Sequence, residues 1–89
     1  MHAVTINLTI DPVQAPAAAA TFSSDILPKV AAAPGFQGGY WMEPVAGKGF
    51  GIVLFDDADH ARPLTADDFW QAPGVQIRSI DVRRVAVAI

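Results

Sequence analysis

The chain has 89 residues, no cysteine, a formal net charge of −3 and an isoelectric point of about 4.9. That balance excludes nucleic acid as a partner, because phosphate binding needs a basic surface, and the absence of cysteine excludes disulfides and cysteine-ligated zinc or iron–sulfur centres. The length is that of one domain spanning 1–89. Hydrophobic residues make up 52% and charged residues only 17%, below the usual level of about 25%. So short a chain buries only about 60–65% of its unfolded surface, and this one has too little charge to coat a small monomer. The composition therefore predicts apolar surface hidden in a self-association interface, a homodimer being the simplest.

The elements follow in chain order. His2–Ile10 alternates, with Val4, Ile6, Leu8 and Ile10 on one face and Ala3, Thr5, Asn7 and Thr9 on the other, which predicts a strand. Asp11-Pro12 ends it. From Pro16 to Ala33 the apolar residues Ala19, Phe22, Ile26, Val30 and Ala33 recur at three- or four-residue steps, the stripe of a helix. Pro28 lies inside that stripe and is expected to kink or divide the helix. Pro34-Gly35 closes it. Phe36–Glu43 and Phe50–Phe55 form a hairpin around a turn at Val45–Gly49. The third strand is apolar on both faces (Phe50, Ile52 and Leu54 against Gly51, Val53 and Phe55), so both faces require a cover. Asp56 and Asp57 offer caps to a short helix over Ala58–Arg62, which Pro63 interrupts. Thr65-Ala66-Asp67-Asp68 suggests a capping box for a last turn through Phe69 and Trp70. Val75–Ile89 predicts a long final strand whose apolar phase slips twice, as a bulge would cause.

The order β-α-β-β-α-β predicts an α+β fold, a ferredoxin-like sandwich: a four-stranded antiparallel sheet with two helices on one face. The doubly apolar third strand then calls for a second sheet on the open face. Two copies would close into an α/β barrel, with the last strand as an arm across the dimer.

The stretch Val30-Ala31-Ala32-Ala33-Pro34-Gly35-Phe36-Gln37-Gly38-Gly39-Tyr40-Trp41 resembles the helix-to-strand junction of the dimeric α/β-barrel superfamily of antibiotic-biosynthesis monooxygenases. Phe55-Asp56-Asp57 and Pro73-Gly74-Val75 resemble the same group. The resemblance implies a dimer and a site for a small molecule. It leaves the activity open, because the superfamily holds oxygenases, haem degraders, isomerases, decarboxylases and members without known chemistry. The second-helix region departs from the group, being short and broken by Pro63.

Five residues are candidates for chemistry. With Val4, Ile6 and Leu8 under the helices, Asn7 looks into the barrel; the resemblance implies an asparagine and a tryptophan near the substrate, and Asn7 could hold a substrate oxygen through its amide, its bland reading being a polar residue satisfied by Thr5, Thr9 or water. Trp41 and Trp70 could wall a pocket or simply pack the core or interface. His60 could act as a base or haem ligand, or be an exposed helix residue between Asp59 and Arg62. In haem degraders of this kind the ligand histidine follows the tryptophan, whereas His60 precedes Trp70. Tyr40 is a ligand contact or an alternative proton carrier. For Asp56, Asp57, Asp59 and His60, helix capping is a better account than a metal site. Gly47-Lys48-Gly49-Phe50-Gly51 lacks the Walker pattern.

These readings predict a homodimer that binds a small apolar or aromatic molecule between sheet and helices, with no cofactor and no metal. A cofactor-independent monooxygenase is one reading; a non-catalytic carrier, sensor or assembly module is the other. MHAVTINLTI lacks the basic region of a signal peptide, and Ala17–Ala20 is soon followed by polar residues. No membrane association and a cytoplasmic location are therefore expected.

Overall fold

A computed structural model describes residues 1–89. Strand β1 (His2–Ile10) leads to helix α1 (Ala15–Thr21), a π-helical turn (Phe22–Ile26) and helix α2 (Leu27–Ala31). Strands β2 (Phe36–Val45) and β3 (Lys48–Phe55) follow, then helix α3 (Ala58–Ala61), two 3₁₀ turns (Arg62–Thr65 and Asp67–Trp70) and strand β4 (Val75–Arg84). The sheet runs in the order β2-β3-β1-β4 with every neighbouring pair antiparallel. This is the ferredoxin-like sandwich that the element order predicts. No helix is long and apolar enough to cross a membrane.

The helices cover one face of the sheet. Val4 and Ile6 of β1 and Val53 and Phe55 of β3 meet Ile26 and Val30 from the first helical stretch, and Ala61, Leu64 and Trp70 from the second. All are buried. Register explains why these strand residues share a face: Val4 lies opposite Val53, and Ile6 opposite Gly51. The other face carries Asn7 opposite Phe50, Thr5 opposite Ile52, and Tyr40 opposite Ile52 on its other side.

Several local features differ from expectation. Pro28 does not divide the helix. A proline has no N–H for the carbonyl four residues back and its ring crowds the preceding turn. The chain accommodates this by widening that turn: the Leu27 N–H donates to the Phe22 carbonyl, a five-residue step, and helical geometry continues through Leu27. The hairpin turn is tighter than Val45–Gly49, since Val45 pairs with Lys48 and only Ala46 and Gly47 lie between. Both have positive φ, 51° and 74°, as a two-residue turn matched to strand twist requires. Pro44 lies within β2, where the pairing with β3 is interrupted between Met42 and Val45; an edge strand tolerates the missing donor.

The capping box at Thr65 does not form. Thr65 Oγ1 instead donates to the Arg62 carbonyl at 2.7 Å, and the turn over Asp67–Trp70 starts from Ala66 without a side-chain cap. The last strand stops at Arg84 rather than Ile89. Its pairing with β1 slips once: Asn7 lies opposite Ser79 and Leu8 opposite Ile77, leaving Arg78 as the extra residue. The second expected slip falls beyond the strand, where the Val85 N–H still reaches the Met1 carbonyl at 2.9 Å and Val87 is 79% exposed.

Candidate functional site

Between the first helical stretch and the sheet lies a cavity of about 560 Å³, within the range of about 300–1,000 Å³ common for small-molecule sites. None of its 19 lining residues carries a charge. Leu8 and Ile10 of β1, Ala18 and Phe22 of the helical stretch, and both tryptophans contribute to the wall. The π turn has a direct part in this, because its first and last residues, Phe22 and Ile26, both line the cavity. Widened turns of this kind recur at functional sites because they re-aim side chains without breaking the helix.

Trp41 lies along the sheet surface over two glycines. A Cβ on Gly51 would stand 2.7 Å from Trp41 Cδ1, and one on Gly39 would stand 2.8 Å from Cη2. Opposite ends of the indole therefore rest on bare backbone, the close approach that a strand glycine permits. Phe22 meets the indole edge-on, with ring centroids 5.5 Å apart at 69°. Trp70 is held differently. Its Nε1–H donates to the Leu64 carbonyl at 2.7 Å, which ties the last 3₁₀ turn to the one before it, and Phe69 packs at 5.1 Å. The indole N–H of Trp41 is buried and has no protein partner.

The structure brings Trp41 and Trp70 to one cavity and places the other three candidates elsewhere. Asn7 is exposed on the face that the helices leave open, and its Nδ2 donates to Ser79 Oγ at 3.2 Å. The sheet itself stands between Asn7 and the cavity, so no molecule bound between sheet and helices reaches its amide. Its partner is a residue of β4 rather than Thr5 or Thr9. Tyr40 is 64% exposed on that same open face, because neighbours on a strand point in opposite directions and Trp41 points inward.

His60 sits beyond the end of β3. Asp57 caps α3 by accepting the His60 backbone N–H at 2.8 Å, and His60 Nδ1 lies 2.6 Å from Asp56 Oδ1. The hydrogen bond with Asp56, outweighing the cost of desolvation, raises the imidazole above its usual 6.5. The same bond holds the Asp56 carboxyl below its usual 3.8. Gly35, at φ 77°, lies directly against this pair, and any Cβ there would overlap the Asp56 carboxylate and the imidazole. Ligand atoms of Asp56, Asp57 and His60 lie within 4.8 Å of one another, but the cap and the ion pair already use them. Asp59 instead pairs with Arg62 at 3.1 Å.

The site residues that the sequence reading passed over are Phe22, Gly39 and Gly51. For the two glycines the signal is the small residue within an apolar strand, which marks a close approach; Phe22 is legible only as part of the helical stripe. In Gly49-Phe50-Gly51 that signal is present beside the absent phosphate-binding pattern.

No family model matches the chain, and no curated protein matches it in sequence. Among solved structures it is similar to SnoaB, a cofactor-independent oxygenase from Streptomyces nogalater crystallised as an asparagine-to-alanine mutant. The alignment covers 99% of this chain and 96% of SnoaB, with a TM-score of 0.67 and 14% sequence identity. The two proteins share a fold. That likeness covers the whole sandwich, in agreement with what the Pro34-Gly35-Phe36 junction implies about architecture.

Proposed function

We propose that this protein binds a small, uncharged apolar or aromatic molecule in the cavity between helix and sheet, and oxidises it as a cofactor-independent monooxygenase. The observation that carries the binding is the cavity itself: two indoles and two phenylalanines, Phe22 and Phe50, around a space with no charged wall. A charged ligand would lose its hydration there without compensation. The oxygenase reading draws on the fold shared with SnoaB. In such a reaction the substrate supplies the electrons. A phenol would become a quinone, one atom of O₂ ending in the new carbonyl and the other in water with the two hydrogens the substrate loses. The protein's share is to position the ring and exclude water.

One observation favours a second reading. No acid, base or amide side chain lines the cavity, and Asn7, Tyr40 and His60 lie away from it, so a proton would have to leave through solvent. This suits a non-catalytic carrier or sensor. Oxygen uptake with a panel of phenols and hydroquinones decides between the two: turnover that falls in Trp41 or Trp70 variants supports the oxygenase, and uptake at background with ligand still bound leaves the carrier.

The dimer belongs to the same reading. Tyr40 is 64% exposed on the open face, with Ile52 and Leu54 half-buried on the neighbouring strand. A second copy packing sheet to sheet supplies the cover that β3 lacks, and Val85–Ile89 extends past the sheet as an arm for the partner.

A further inference from the structure

We infer that the phenol of this cavity is a single ring carrying an extended alkyl chain, with the ring beside Trp41 and the chain lying along β1 toward Ile10. The inference rests on the reading of the cavity as a ligand site and names the ligand class. The register of the strands divides the cavity along its length. Trp41 lies opposite Gly51, and Gly51 opposite Ile6; Phe22 meets the Trp41 indole at this level. Two residues further along β1, Leu8 lies opposite Gly49. Beyond that, the Ile10 N–H donates to the Gly47 carbonyl at 2.8 Å. Helix α1 runs back over the same stretch. It begins beside the end of β1, where the Gln14 N–H donates to the Asp11 carbonyl at 3.1 Å, and the π turn that follows it brings Phe22 to Trp41.

The two ends have different walls. Around Trp41 they are aromatic, and a ring gains there from edge and face contacts beyond its buried area. Toward Ile10 they are aliphatic and low. Every residue of α1 that lines the cavity is an alanine, Ala15, Ala18 or Ala19, so the roof carries only methyl groups. On the floor Leu8 lies across Gly49: a Cβ there would stand 2.8 Å from Leu8 Cδ1 and 3.3 Å from its Cγ. These small residues leave a trough from Leu8 to Ile10, about 7 Å along the strand, the reach of an extended hexyl chain. Burying such a chain against apolar walls is favourable in proportion to its area. The ring hydroxyl keeps its contact with water, because Met42, next to Trp41 and part of the same wall, is 50% exposed. A phenol seated this way needs no buried polar partner, in agreement with a lining that offers no charged side chain.

A series of 4-alkylphenols tests this. From 4-methylphenol to 4-hexylphenol, affinity should rise by about fourfold per added methylene. In the complex with 4-hexylphenol, the terminal methyl should show an NOE to the Ala15 methyl, and the ring protons an NOE to the Trp41 indole. Gly49→Ala should push Leu8 up into the trough and lower the affinity ratio of 4-hexylphenol to 4-methylphenol by about tenfold. Leu8→Ala in the Gly49→Ala background should restore that ratio. An affinity that does not grow with chain length, ring protons against Ala15, or an unchanged ratio in a folded Gly49→Ala protein overturns the inference while leaving the cavity as a ligand site. If no member of the series perturbs the Trp41 and Ala18 resonances, the ligand-site reading falls and the inference with it. Should Gly49→Ala fail to fold, the wild-type series and its NOE pattern decide.

Discussion

Gly51→Ala tests the seat of Trp41. The added Cβ would stand 2.7 Å from Cδ1 and 2.9 Å from Nε1 of the indole. Cδ1 belongs to a rigid ring, and the far end of that ring is already close to Gly39, where a Cβ would stand 2.8 Å from Cη2. The indole must therefore move into the cavity. Overpacking of this kind costs about 1–3 kcal/mol, whereas replacing a strand glycine by alanine contributes about 0.5–1 kcal/mol in the other direction. The expected net loss is about 1 kcal/mol. With a urea slope of about 1 kcal/mol/M, the unfolding midpoint should fall by about 1 M. A double-mutant cycle sharpens the test, because the sign should reverse once the ring is gone: in a Trp41→Ala background, Gly51→Ala should stabilise by about 0.5–1 kcal/mol. The coupling between the two positions should then be about 2 kcal/mol. A coupling near zero would refute the reasoning, since it would mean that residue 51 and the indole do not share the space between β2 and β3.

Further outcomes are expected from other parts of the molecule. Trp70→Phe removes the donor to the Leu64 carbonyl and part of a buried ring, and should destabilise by about 2–3 kcal/mol in a thermal or urea melt; a variant as stable as wild type would show that the bond does not hold the 3₁₀ turns together. Ala46→Asn should stabilise by up to about 1 kcal/mol, because Ala46 has φ 51° and asparagine tolerates the left-handed region better; no rise in melting temperature would count against the turn geometry. The His60–Asp56 pair has a defined sign with pH. The raised imidazole contributes stability that is full below its usual 6.5 and is lost as pH rises through its folded value, and the lowered carboxyl contributes stability that is present above its usual 3.8 and lost as pH falls through its folded value. The pair thus supports the fold most in the mildly acidic range between them, and weakly, because both groups are exposed. In Asp56→Asn the His60 titration followed by NMR should move down toward 6.5, and an unmoved titration would remove Asp56 as the cause. Ile52→Glu on the open face should convert a sedimenting dimer to a folded monomer; a wild-type chain that is monomeric at micromolar concentration would end the dimer reading.

Much of this architecture is legible in the sequence. The alternation of His2–Ile10 places β1 and its faces, the Pro34-Gly35 stop places the junction to β2, and the apolar two-sidedness of Phe50–Phe55 points to a sheet with one face under helices and another in need of cover. These signals are local: each depends on chain periodicity or on the backbone limits of proline and glycine. The site was legible only in part. Trp41 and Trp70 were singled out, but so were Asn7 and Tyr40, which the sheet separates from them. Alternation states that Tyr40 and Trp41 face opposite ways; it cannot say which of them faces the helices, because β3, the neighbour of β2, is apolar on both sides. Only the pairing of Trp41 with Gly51, and of Gly51 with Ile6, turns Trp41 inward. The same holds for the π turn. A proline in a helix announces a local disturbance, but whether the chain kinks, breaks or widens depends on what the surrounding side chains must pack against, and here the widened turn keeps Phe22 and Ile26 on the cavity. The sequence by itself determined the elements and their order; the tertiary structure decided which side chains meet, because a strand carries its own period but takes its register, and hence its inward face, from its neighbours.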